Sequence, residues 1–188
     1  MLQAALGVFS QRGFKGATVR EIARLASVNH GTIRYHFGSK DRLWRAAVSF
    51  LFERQERELD YAGLARQGLS DVDFVREAVG RFVRYCARHP EHARIAVLES
   101  VLGGERLRWM SREHIRPMHA VATSFLRGSM QRGLVKQLDL VSLLYVLALA
   151  SQSVFLLEKE ARAVHGIDPF SAEFVERHVE TILGLLLR

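Results

Sequence analysis

The chain is poor in residues that cross-link or break structure. It has a single cysteine, Cys86, so no disulfide can close within it, which suits a reducing, cytoplasmic setting. It has only three prolines, and no apolar–polar alternation bounded by turn residues, which argues against a β architecture. Acidic residues are scarce in the first fifty positions. Glu21 and Asp41 stand there against Arg12, Lys15, Arg20, Arg24, Arg34, Lys40, Arg42 and Arg45, a net charge of +6. The rest of the chain is nearly neutral, with nineteen basic and eighteen acidic residues. A basic first part joined to a neutral remainder points to a polyanion partner for the first part alone.

Other absences narrow the function. No basic segment precedes an apolar run at Met1–Leu6, so no secretory signal is expected. The most apolar stretch, Leu140–Leu157, is broken by Ser142, Ser151, Gln152 and Ser153, so it reads as a buried helix and not a membrane span. HExxH, GxxxxGK[ST], GxSxG and GxGxxG are all missing. Cys86, His89 and His92 have a spacing that invites a metal, but Pro90 interrupts them and no fourth ligand is apparent. No third group would orient Cys86 and His89 as a nucleophile pair either. No metal, cofactor or catalytic residue is therefore expected, and an enzyme is the weak reading.

The periodicity is helical nearly throughout. Leu2, Ala5, Leu6 and Phe9 form one apolar face, Gly13 ends that helix, and Phe14 is placed to fold back on it. Thr18-Val19-Arg20-Glu21 is a capping box opening a second helix, with Val19, Ile22, Ala23 and Ala26 inward. Ser27-Val28-Asn29 is a tight break, and Asn29 caps a short third helix to about His36. Ser39 caps a long fourth helix, from about Lys40 to Leu59. Five further helices are expected beyond it. One runs from about Arg106 to Arg132 with a kink near Pro117, and another spans Leu140–Val164. The fold class is all-α, with a three-helix head (1–45) joined by the long helix to a helical body (46–188).

A helix-turn-helix needs a second helix that spends few side chains on packing, because its N-terminal end enters the major groove. Residues 18–37 meet that need. In the third helix only Ile33, flanked by Val28 and Phe37, is committed to a core. The run from Thr18-Val19-Arg20-Glu21-Ile22-Ala23 to Val28-Asn29-His30-Gly31-Thr32-Ile33-Arg34-Tyr35-His36-Phe37-Gly38-Ser39-Lys40-Asp41-Arg42-Leu43 resembles the DNA-binding head of the TetR family of bacterial regulators. The resemblance covers residues 1 to about 50. It departs from the family at Ser27, where glycine is usual, and at Arg34, where tyrosine is usual.

The resemblance implies a homodimeric repressor of transcription that binds a palindromic operator in double-stranded DNA and is released by a small apolar effector. His30, Gly31 and Arg34 are the expected base-reading positions, with Arg34 able to bond guanine bidentately or grip a phosphate, and Arg20 resembles a family residue that reaches a base or a phosphate. Thr18, Thr32, Tyr35, His36 and Lys40 are expected to hold phosphates, while Tyr35 and His36 have a competing role packing under Phe37. Arg24, Arg42 and Arg45 read as solvated charges. In the body, Phe82, Tyr85, Trp109, Met110 and Met118 are candidates for an effector cavity. Leu144, Leu147, Phe155, Val175, Val179, Ile182 and Leu186 are candidates for a seam with a second copy. A non-specific architectural DNA-binding protein is the alternative; an enzyme or carrier with a relic head is a weaker one.

Overall fold

A computed structural model describes residues 1–187. It is helical without strands among the described residues, beyond one isolated bridge between Val135 and Leu187. The helices are α1 (Leu2–Gly16), α2 (Val19–Leu25), α3 (His30–Phe37), α4 (Lys40–Leu59), α5 (Tyr61–Ala65), α6 (Asp71–Arg88) and α7 (Pro90–Leu102). They continue as α8 (Glu105–Met110), a π turn (Ser111–Ile115), α9 (Arg116–Gln131), α10 (Leu140–Leu156), α11 (Glu158–His165) and α12 (Ala172–Leu186). Among the described residues no single helix is long and apolar enough to cross a membrane; α10 and α11 together reach the length but bend by 65°.

The chain forms two compact units. The first is Met1–Gln55 with Glu91–His114; the second is Glu56–Pro90 with the segment from Ile115 onward. This differs from a single cut near residue 45, because α7 and α8 cluster with the head. In the first unit Leu6, Phe9, Ile22, Ile33, Leu43, Trp44 and Met110 are fully buried. Phe14 does fold back, stacking on Phe9 at 6.1 Å, because Gly13 leaves the helical region at φ 64°. Arg54 ties α4 to both neighbours: it donates to Gln3 at 2.9 Å and to Glu91 at 2.8 Å.

In the second unit α6 packs on α12 and α10, and α9 on α10. Val83, Tyr85, Cys86, Phe155, Val179 and Ile182 form one core; Val75, Leu126, Met130, Val135, Leu143 and Leu186 form another. Ser70, Asp139 and Ser171 cap α6, α10 and α12 by accepting backbone amide bonds.

Two expectations change here. The irregularity near Pro117 is the π turn preceding it. Pro117 itself is the second residue of α9, directly after that turn. The Leu140–Val164 helix is two helices, parted at Leu157, where the apolar run meets Glu158-Lys159-Glu160.

The proposed cavity residues fall in different units. Trp109 and Met110 belong to the first unit, where Met110 is fully buried and Trp109 lies against Trp44 at 5.6 Å. Phe82, Tyr85 and Met118 belong to the second unit, and Tyr85 is spent in its core. None of the five lines the two open surface grooves found there, whose linings include Arg84 and Glu180 in one and Val121 and Gly128 in the other. The seam residues are also used within the chain. Phe155, Val175, Val179, Ile182 and Leu186 are core, and Leu144 and Leu147 pack against it. The side of α10 left exposed carries Val141, Tyr145, Val146 and Leu149 instead. A helix apolar all round does not announce by its periodicity which side faces inward.

Candidate nucleic-acid interface

Two local devices shape the helix-turn-helix. Thr18 Oγ1 accepts the Glu21 amide at 3.1 Å and starts α2. The Glu21 carboxylate, expected to reach back to the cap, lies 3.8 Å from Arg12. The turn then bends through Ser27, which takes φ 54°, a left-handed conformation that usually calls for glycine. The Val28 amide donates to Ala23 O at 3.0 Å across that turn, and Asn29 Oδ1 accepts the Gly31 amide at 2.8 Å to start α3.

Burial sorts the α3 side chains. Ile33 is buried, and Thr32 and Phe37 are half-buried. His30, Gly31, Arg34, Tyr35 and His36 are exposed. Tyr35 is 86% exposed, edge-on to His36 at 5.3 Å, so it is not packed under Phe37. Thr18 and Arg20 are exposed on α2. All nine positions expected to meet DNA lie in the first unit, and eight of them stand on or beside α2 and α3.

Lys40, the ninth, opens α4 and is half-buried. Its Nζ lies 4.7 Å above the Phe14 ring and donates to Lys15 O at 3.4 Å. Burial, and secondly the charge of Arg106, hold its ammonium below the ordinary lysine range. Among the charges read as solvated, Arg45 is engaged: it bonds Asp41 at 2.8 Å and lies 5.2 Å over Trp109. Arg106 was not among the expected site residues at all. It lies far along the chain, and only the folded unit brings it to Phe14.

No cluster of three or more His, Cys, Asp or Glu stands ready to hold a metal among the described residues. His89 is taken up by Glu58 at 2.9 Å, and His92 lies edge-on to Phe52 at 4.8 Å. What the first unit offers is a short helix with a polar, mostly uncommitted face and a basic surround, the shape and charge of a major-groove reader.

Comparison with known proteins agrees. Residues 1–47 match the family model "Bacterial regulatory proteins, tetR family". The chain is 32% identical over 142 residues to the HTH-type transcriptional repressor NicS of Pseudomonas putida, covering 73% of this chain and 63% of NicS, a little under two thirds of it. It is 23% identical over 189 residues to the HTH-type transcriptional regulator RutR of Escherichia coli, covering all of this chain and 87% of RutR. A solved TetR-like transcriptional regulator from Rhodococcus shares the fold with a TM-score of 0.69 at 20% identity, covering 98% of this chain and 90% of that one. With the head's motif, its turn geometry and these relatives in agreement, residues 1–47 form a head of the TetR family of bacterial regulatory proteins.

Proposed function

We propose that this protein is a sequence-specific DNA-binding transcriptional regulator, a repressor that a small apolar effector releases from a palindromic operator. The observation that carries the reading is the face of α3. Its one buried residue, Ile33, anchors the helix, while His30, Gly31, Arg34 and Tyr35 stand in solvent with no ion pair to compete for them. In this reading Arg34 and His30 read base edges, and Gly31 lets the backbone come close. Arg20, at the start of α2, reaches a base or a phosphate. Thr18, whose oxygen accepts the cap bond but whose hydroxyl proton is uncommitted by it, holds a phosphate together with Thr32, Tyr35, His36 and Lys40.

A palindrome requires two heads, and the exposed stripe Val141, Tyr145, Leu149 on α10 is the surface a second copy would cover. Release follows if the effector binds best to a form in which the two heads no longer span adjacent grooves. The relatives named repressor and regulator support this reading.

The test is binding of the full chain to DNA selected from a random pool, against a scrambled duplex at the same salt concentration. A selected palindrome bound far more tightly than its scrambled form supports the reading. Equal affinity for both would mean an architectural DNA-binding protein instead.

A further inference from the structure

The first unit buries a charge that the DNA-reading face does not explain. Glu99 on α7 is 2% exposed. A carboxylate so far from water needs a partner, and Arg106 supplies it, with Nε 3.0 and 3.1 Å from the two oxygens. The corner between them is Gly103-Gly104, with φ of 69° and 89°, so the chain reverses in two residues and returns Arg106 beside Glu99.

Pairing does not exhaust Arg106. Its guanidinium carbon lies 4.2 Å from the Phe14 ring centroid and 5.8 Å from that of Trp44. Lys40 Nζ lies 4.7 Å from that same Phe14 ring. One aromatic ring is thus shared by two cations, one from the corner of α7 and α8 and one from the start of α4. Each is attracted to the ring and repelled by the other. The carboxylate that offsets Arg106 is buried on its far partner, Glu99, while Lys40 remains half-exposed.

We infer that Arg106 is a positioning residue for the DNA contact of Lys40: by sharing the Phe14 ring, Arg106 repels the Lys40 ammonium that lies over it and loosens its hold there, so that a phosphate can draw Lys40 outward and relieve the crowding of the two cations. The strength of the head's grip then depends on the α7–α8 corner, although that corner makes no contact with DNA itself. If Arg106 leaves the ring, Phe14 and the Lys15 carbonyl hold Lys40 more firmly and its hold on phosphate weakens. The inference rests on the reading of Lys40 as a phosphate contact.

The experiment is a double-mutant cycle on the full-length protein, read as DNA affinity over a range of salt concentrations. Removing Arg106 alone would strand Glu99 and could unfold the unit, so the pair is replaced together as Glu99→Gln with Arg106→Met, and thermal melting checks the fold. Four proteins are compared: the natural chain, the pair replacement, Lys40→Ala, and all three substitutions together. The pair replacement should weaken operator binding about fivefold in the natural background and by less than about twofold in the Lys40→Ala background. It should also flatten the salt dependence only where Lys40 is present.

An equal loss in both backgrounds, or no loss in either, overturns the inference. So does a Lys40→Ala protein that binds as tightly as the natural chain. A natural chain that prefers no sequence, yet gives the stated coupling on any duplex, upholds this inference while refuting the sequence-specific reading. The two failures are therefore distinguishable.

Discussion

Asn29 Oδ1 sits 2.8 Å from the Gly31 amide nitrogen and 3.2 Å from the point a Cβ on Gly31 would occupy. The smallness of Gly31 therefore serves the cap of α3 as well as any approach to DNA. Gly31→Ala should push the carboxamide away and cost about 1 kcal/mol of stability. Thermal melting and operator titration of the same variant separate the two roles. An unchanged melting point with lost binding would assign the glycine to DNA approach alone.

Ser27 carries a left-handed backbone with a side chain attached. Ser27→Gly should raise stability by about 1 kcal/mol and leave operator preference as it was. A urea titration measures this, and a lower midpoint for the variant would show that the turn is not strained.

Arg34 and Lys40 are assigned different work, so their loss should look different. Arg34→Ala should cost about 1–3 kcal/mol on the selected operator and broaden the bases accepted at one position of each half-site. Lys40→Ala should weaken every duplex alike. Repeating the pool selection with each variant decides; identical profiles would end the division between reading and positioning.

Three histidines are held below the ordinary value of 6.5, each chiefly by burial: His114, His119 and His178. His114 is fixed in the π turn, stacked on Phe52 at 4.7 Å and bonded to Ser49 at 3.2 Å. With the folded values depressed, the unfolded chain takes up protons first as pH falls. Stability should be fully present above about pH 6.5 and decline below it, toward the lowered folded values. Denaturant midpoints across that range test this, and His114→Gln should reduce the decline. A midpoint that rises on acidification would contradict it.

Cys86 is buried in the second unit, and burial pushes its thiol up to about 12. A thiol so placed is a poor nucleophile. Iodoacetamide at mildly alkaline pH should leave the native protein unlabelled and modify it only after denaturant is added. Prompt labelling without denaturant would mean that the α6 core opens readily.

The sequence made local features legible. Thr18 and Asn29 cap the helices they were expected to cap, because a cap bond spans only two or three residues. Ser27 stood out only through the resemblance, as a departure from the family's usual glycine; its left-handed backbone comes from the structure. What stayed hidden depends on partners far along the chain. Arg54 meets Gln3 and Glu91, and Arg106 meets Phe14; no periodicity encodes such pairs. The surface of α10 was hidden for another reason: its apolar residues surround the helix, and only folding selects the side that stays inside.

The first unit is assembled from two separate stretches, Met1–Gln55 and Glu91–His114. Anyone building a chimeric regulator by exchanging heads at the edge of the recognised motif, near residue 47, would transplant Phe14 and Trp44 without Arg106 and Trp109. The graft would have to accept a stranger's side chains against its own aromatic rings. A transferable head of this protein is a discontinuous part, and moving it whole means moving the α7–α8 arm along with it.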